Sequence, residues 1–402
     1  MTDPRNVVLV TVDSLRADRC GHLGYDSSLM PTIDGLAADG LQFDNAIAPA
    51  GSTSGSSTSF MTGGYPFARP GADRRDSIRE QIRARDTIAE RFKRMGYETA
   101  AFTANPWTSR SFGFDEGFDH FEDFMENEVP NRFRDGDGGD SGVLQETATR
   151  LVDWWEGQEM FMSWESFYDD IERWTRSAEE PYFLWVFLVD VHMPYIPPRE
   201  QLSLWPLTYA SNAWLFGGAD ERLSPLFRDR LLSAYDETVK YTDEFVATLL
   251  DDVGDDTVVC VHGDHGELFG EEDRYGHGYL HESVINVPLV VGNVPSERVG
   301  DPVSLRSLPD LLTGVAAGDR PAVERPYVTT RNNDGMYVAR GRDWRYQRTS
   351  DDETVAVRTD GRWQRRDDGH PLYGIGRSII GRERATEAER RHVVSKVQNI
   401  DA

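Results

Sequence analysis

Tyr182-Phe183-Leu184-Trp185-Val186-Phe187-Leu188-Val189 is the most apolar run in the chain, and it stops abruptly at Asp190-Val191-His192. A strand with no polar alternation is buried on both faces, as the strands of a helix-covered parallel sheet are. Working outward, Asn6–Val12 (NVVLVTV) is a second such strand, ending at Asp13. Thr257–Val261 is a third, followed by Gly263-Asp264-His265-Gly266. Thr99–Ala104 and Val287–Val291 read as further strands. Helical patterns lie between them. Thr32 to Ala38 is a short helix closed by Gly40, and Thr87-Ile88-Ala89-Glu90 is a capping box opening a helix that Gly96 ends. A long amphipathic pattern runs from about Pro225 to Leu250, and Leu305–Val315 is a further helix. Strands alternating with helices predict an α/β fold with a doubly wound, mostly parallel sheet.

Two stretches break this rhythm. Glu122 to Glu180 is acidic and tryptophan-rich, with Gly136 to Gly142 (GDGGDSG) as a flexible break. It reads as a helical insertion (122–180), either a cover over the site, with Trp154, Trp155, Trp164 and Trp174 packed on it, or a surface excursion. From roughly Glu324 the chain turns to short strands, with Asp360-Gly361 as a hairpin turn before Trp363, and a polar helix from Thr386 to Val397. The expected organisation is a catalytic domain over 1–323 and a small antiparallel subdomain over 324–402.

The 402 residues carry a net charge of -26, and hydrophobic residues make up 39%. That is enough apolar material for a core, so the acidity belongs to the surface. Lys93, Lys240 and Lys396 are the only lysines. Dense carboxylates with few lysines suit concentrated salt, which screens their repulsion within a few ångströms; a halophilic cytoplasm is the expectation. Such a chain should bind neither nucleic acid nor an anionic membrane non-specifically. No apolar run approaches the ~18 residues that span a bilayer, and Met1 to Arg5 precede the first strand without a signal-peptide core. Cys20 and Cys260 cannot form a disulfide framework.

In open parallel sheets ligands bind beyond the carboxyl ends of the strands. Asp13, Asp190-Val191-His192 and Asp264-His265 stand at three such ends, and carboxylates with imidazoles suit Mn²⁺, Zn²⁺ or Ca²⁺. One aspartate after a strand says little; three such strand ends in one chain say much more. The run Gly51-Ser52-Thr53-Ser54-Gly55-Ser56-Ser57-Thr58-Ser59 leads into Phe60-Met61-Thr62-Gly63-Gly64-Tyr65-Pro66. It could be a linker, but its apolar flanks embed it in the domain. A hydroxyl at a helix N-terminus facing a metal is placed to attack an anionic ester.

Together these residues resemble the sulfatase family of the alkaline phosphatase superfamily, over about residues 6 to 345. Val12-Asp13-Ser14-Leu15-Arg16-Ala17-Asp18, Gly24-Tyr25 and Met30-Pro31-Thr32-Ile33-Asp34-Gly35-Leu36-Ala37 look like its opening. Thr62-Gly63-Gly64-Tyr65-Pro66 resembles the end of its nucleophile helix, and Asp190-Val191-His192-Met193-Pro194-Tyr195 its substrate-contacting histidine segment. Asp264-His265-Gly266-Glu267, Tyr275-Gly276-His277-Gly278 and Val287-Pro288-Leu289 resemble its second metal segment. The resemblance implies an alkaline-phosphatase-like fold in which Asp13, Asp264 and His265 ligate a divalent metal. Thr53 falls at the nucleophile and shares that metal, while His192 and His277 contact the ester oxygens or protonate the leaving group. The implied substrate is a small-molecule or glycan- or lipid-linked anionic ester. With its charge pattern, the chain looks like a sulfatase-like protein of a halophilic archaeon.

The departures matter as much. Sulfatases make formylglycine from a Cys or Ser followed by Pro and Arg two and four positions on; here Gly55 and Ser57 stand at those positions. Ser14 stands where many sulfatases have a second Asp. Threonine nucleophiles are what the phosphate-processing relatives use. The expectation is therefore a metal-dependent phosphodiesterase or phosphotransferase, against a sulfuric ester hydrolase or a silent anion-binding protein.

Overall fold

The computed structural model describes residues 4–65, 73–124, 162–198, 203–216, 223–332 and 335–398. Its centre is an eight-stranded sheet. In chain order the strands are β1 (Val7–Val12), β2 (Leu41–Phe43), β3 (Glu98–Thr103), β4 (His120–Asp123), β5 (Tyr182–Leu188), β6 (Val258–Gly263), β7 (Leu289–Gly292) and β8 (Glu297–Val299). Across the sheet they lie in the order β8-β2-β7-β6-β1-β5-β3-β4. Only β7 runs against its neighbours. β1, β5 and β6 are buried along their whole length, as their unbroken apolar runs require.

Helices cover both faces. One layer holds α1 (Pro31–Asp39), α5 (Glu165–Thr175) and α7 (Pro225–Val253); the other holds α2 (Thr53–Thr62), α3 (Arg74–Arg83), α4 (Ile88–Arg94) and α8 (Leu308–Ala316). The α4 capping box is formed as its sequence predicts, Thr87 and Glu90 exchanging side-chain bonds. Helix α6 (Trp205–Phe216) packs on α7. Among the described residues no helix is long and apolar enough to cross a membrane.

Val287–Val291 is not one strand. Pro288 has no N–H to give a ladder, so Asn286–Val287 pairs with Ala46–Ile47 while β7 joins the main sheet antiparallel. Within the tryptophan-rich stretch, residues 122 and 123 still belong to edge strand β4, and residues 125–161, with Trp154 and Trp155, lie outside the described residues. Trp164 and Trp174 cover the fold itself. Trp164 is buried against Tyr241 and Phe245 of α7, its Nε1 donating to the Tyr241 carbonyl, and Trp174 packs edge-on against Tyr182.

The C-terminal part is a five-stranded antiparallel meander, β9 (Tyr327–Arg331), β10 (Tyr337–Gly341), β11 (Trp344–Arg348), β12 (Glu353–Thr359) and β13 (Arg362–Arg365). Asp360 and Gly361 turn the last hairpin, both at positive φ (49° and 75°), as a primed two-residue turn demands. The covering helix α9 runs Pro371–Gln398 and so begins fifteen residues before the expected Thr386. Its glycines hid it. Gly376 lies against the Tyr346 ring, where a Cβ would stand 2.1 Å from the ring carbon, so the helix can seat only on a residue without a side chain.

Candidate active site

Backbone register sets the site. Val12 pairs with Leu188 on one side and Gly263 on the other, so β1, β5 and β6 end level. The next residue of β1 is Asp13 and of β6 is Asp264; both are fully buried, as is His265. One ligand atom from each of the three lies within 4.8 Å of the others. The chain leaves β1 through Ser14, which holds φ at 61°, a left-handed conformation costly for a non-glycine residue. Tyr235 of α7 pins it there, its hydroxyl donating to the Ser14 carbonyl at 2.8 Å. Ser14 N–H in turn donates to Asp264 Oδ1 at 3.1 Å.

Helix α2 brings Thr53. Serine and threonine compete with a helix backbone, yet here Thr58, Ser59 and Thr62 turn their hydroxyls onto carbonyls one turn back, so the helix can be buried. Phe60 packs edge-on against His262 and Trp185 of the sheet, fixing the helix axis. Thr53 is its first residue, not the one before it, and Ser52 is the N-cap. Thr53 Oγ1 lies 3.1 Å from His265 Nε2. Ser54 and Ser56 have other partners: Ser54 Oγ accepts from Arg74 and Ser56 Oγ donates to the Asp264 carbonyl.

His192 and His277 complete the group, while Asp190 turns aside to accept the Trp164 N–H. The His277 ring centroid stands 4.6 Å from that of His265 and 5.2 Å from that of His192. His277 Nδ1 lies 3.2 Å from Glu267 Oε1, and His192 Nδ1 donates to the Met193 carbonyl. Burial would push the Glu267 carboxyl up, but His277 outweighs it and holds that carboxyl low. Conversely burial would pull His277 down, and Glu267 outweighs it and holds the imidazole above its usual value. At the edge of the cluster the two groups favour each other's charged form.

The cluster itself is electrostatically strained. Burial pushes the Asp264 carboxyl well above the usual range, and the adjacent Asp13 carboxylate adds to the rise. Burial pulls His265 down to about 4, with His277 adding to it. His265 Nδ1 donates to the Gly266 carbonyl at 2.9 Å, so Nε2 carries the lone pair and faces Asp13 and Asp264 at 3.6 and 3.5 Å. Asp264 Oδ2 is buried and, among the described residues, accepts no hydrogen bond. Carboxylate oxygens, one of them unsatisfied, beside an imidazole lone pair and a hydroxyl are a donor set that fits a divalent cation.

Three contributors carry no local signature in the sequence. Asn105, after β3, donates to Asp13 Oδ2 at 2.6 Å. Asn332, after β9, accepts from Gly51 N–H at 3.2 Å and donates to the Gly278 carbonyl at 2.5 Å. Arg74, at the start of α3, donates to Ser54 Oγ at 2.6 Å.

The helix-covered, mostly parallel sheet is an alkaline-phosphatase-like fold, here with paired aspartates and a histidine at its carboxyl edge and a hydroxyl-led helix beside them. The chain belongs to the sulfatase family, whose profile matches residues 5–297. It is 26% identical to human iduronate 2-sulfatase over 329 residues, covering 72% of this chain and 60% of that one. It thus spans about three fifths of that relative's length. Phosphonate monoester hydrolase of Agrobacterium radiobacter shares its fold at a TM-score of 0.65 and 15% identity, covering 96% of each chain. The lipoteichoic acid synthase LtaP of Listeria monocytogenes does so at 0.60 and 16%, covering 96% of this chain and 92% of that one.

Proposed function

We propose that this chain is a metal-dependent hydrolase or transferase of phosphate or sulfate esters, favouring phosphodiesters, with Thr53 as its nucleophile. One observation carries the reading: Thr53 Oγ1, at the N-terminus of a buried helix, lies 3.1 Å from the unprotonated nitrogen of His265, beside two buried carboxylates. Asp13, Asp264, His265 and Thr53 would hold the cation, which would lower the hydroxyl pKa and neutralise charge on the ester. With its proton given up to solvent as the cation would be bound, Thr53 Oγ1 bonds to phosphorus while the bond to the leaving oxygen breaks, and it is released again as the alkoxide in the second step. His277, kept charged by Glu267, gives that oxygen its proton from Nε2. His192 binds an ester oxygen. Water, or an acceptor alcohol in a transferase, then attacks the phosphothreonine, gives its proton to His277 and restores Thr53. The amides at the start of α2 stabilise charge on the transferred group in both steps.

Threonine cannot be converted to formylglycine by the usual route, so a sulfate ester would have to be cleaved without the hydrate chemistry of sulfatases. Family membership nonetheless supports a second reading, a sulfuric ester hydrolase. Turnover of an aryl phosphodiester, monoester and sulfate side by side, after chelation and metal add-back, separates the two. Thr53→Ala should lower phosphodiester turnover at least about a hundredfold, and intact mass during turnover should show a phosphate adduct on the peptide containing Thr53. Aryl sulfate as best substrate would refute the preference, and loss of activity in Ser54→Ala but not Thr53→Ala would refute the nucleophile. No turnover of any ester would leave a silent anion-binding protein.

A further inference from the structure

The structure assigns a second anion contact to this pocket: we propose that Arg74, seated on Trp107 and bonded to Ser54, binds a non-bridging oxygen of the ester from helix α3. It supplies a cation that the Ser57 position lacks. The inference rests on the reading of the Asp13–Thr53 pocket as the ester-cleaving site.

Two attachments bring Arg74 there. Its Nη2 donates at 2.6 Å to Ser54, the residue after Thr53 on the first turn of α2. Its Cζ lies 4.5 Å from the centroid of the Trp107 ring. Trp107 is itself tied to the cluster, since its N–H donates to Asn105 Oδ1 at 2.8 Å and Asn105 Nδ2 donates to Asp13 Oδ2 at 2.6 Å. The guanidinium therefore bridges the helix that carries Thr53 and the turn that holds Asp13.

Carboxylates outnumber lysines and arginines 69 to 43 in this chain, yet among the described residues none pairs with Arg74. A guanidinium offers five N–H donors in a fixed fork that matches phosphate and sulfate. Ser54 takes one of them, and the bond to Ser54 and the seat over the Trp107 ring both restrain the guanidinium, which lowers the entropy lost when an oxyanion binds. Arg74 stays open to solvent at the start of α3, so an incoming anion can reach it. If the residue merely clasped α3 to the turn, its loss would cost stability and leave anion binding alone.

The test is calorimetric titration of inorganic phosphate into the metal-loaded full-length chain, with metal content measured on each sample. R74Q should weaken phosphate binding by about 10- to 100-fold, the worth of one charge-assisted hydrogen bond. Metal content should be unchanged, and kcat/KM for the best ester should fall by a similar factor. R74K, which keeps the charge and loses the fork, should fall between and carries the test if R74Q does not fold. Phosphate binding equal to wild type in the folded variants overturns the proposal while leaving the Thr53 reading standing. A wild-type protein that binds no phosphate and turns over no ester overturns both.

Discussion

Replacing Asn332 by alanine tests whether the C-terminal sheet takes part in the chemistry. Its amide joins Gly51, two residues before Thr53, to Gly278, directly after His277. The two loops also meet directly, Gly278 N–H donating to the Gly51 carbonyl at 2.6 Å. They pass so closely that a Cβ on Gly51 would stand 2.3 Å from the Tyr279 carbonyl oxygen. Removing two hydrogen bonds worth about 1 kcal/mol each should cost about 2 kcal/mol of stability. The larger effect is on position, because a drift of about 1 Å between reacting groups lowers turnover by on the order of a hundredfold. One direct bond between the loops survives, so a loss of roughly 10- to 100-fold in kcat/KM is expected, with metal content retained. Asn332→Asp keeps the acceptor for Gly51 but sets a carboxylate against the Gly278 carbonyl, and should be no better than alanine. The assay is ester turnover on folded, metal-replete protein, with a thermal melt alongside. Activity within twofold of wild type in Asn332→Ala would refute the clamp.

Three further outcomes follow from the same structure. Divalent metal at a hundred times its dissociation constant should stabilise the fold by about 2.7 kcal/mol, and Asp13→Ala should abolish that increment in a thermal melt; an equal increment in the variant would exclude Asp13 as a ligand. His262 is fully buried, its Nδ1 donating to the Gly263 carbonyl and its Nε2 accepting from Thr11, and burial pulls it down to about 4. The unfolded chain takes up that proton near pH 6.5 while the native chain does not, so stability should fall by about 3 kcal/mol between pH 6.5 and 4; urea titrations of His262→Gln should show a shallower decline, and an unchanged slope would remove His262 as the cause. With a net charge of -26, the melting temperature should rise from dilute buffer to molar salt, and a flat response would end the salt-adapted reading.

What was legible in the sequence was what is local. Asp13, Asp264 and His265 stand directly after apolar runs, and the pairing of those runs brings them together without help from any loop. Asn105, Arg74 and Asn332 belong to turns and to a helix start with no periodicity of their own, and they reach the site only through tertiary packing. Thr53 stands out from its serine neighbours in the sequence only through the family resemblance, and in the fold its hydroxyl lies beside His265 while Ser54 and Ser56 bond elsewhere. The early start of α9 was concealed because glycine weakens the helical signal, although contact with Tyr346 requires glycine there. Trp164 and Trp174 could not be assigned to sheet or pocket from composition, since a large ring must be covered in either case.

The level ends of β1, β5 and β6 bear on how such a site can be inherited. Asp13 and Asp264 are set by ladder hydrogen bonds in the middle of the sheet, where a slip of one residue would move an aspartate by about 3.3 Å and turn it to the opposite face. Drift by small steps is therefore closed to them; they persist or are lost outright. Arg74, at the head of α3, and Trp107, in the turn after β3, stand outside the sheet, where exchanges leave the ladder untouched. Descendants of one ancestor could then diverge in which esters they accept while keeping one unaltered reaction centre, and a designer seeking new substrates for this scaffold would vary those positions and leave the strands alone.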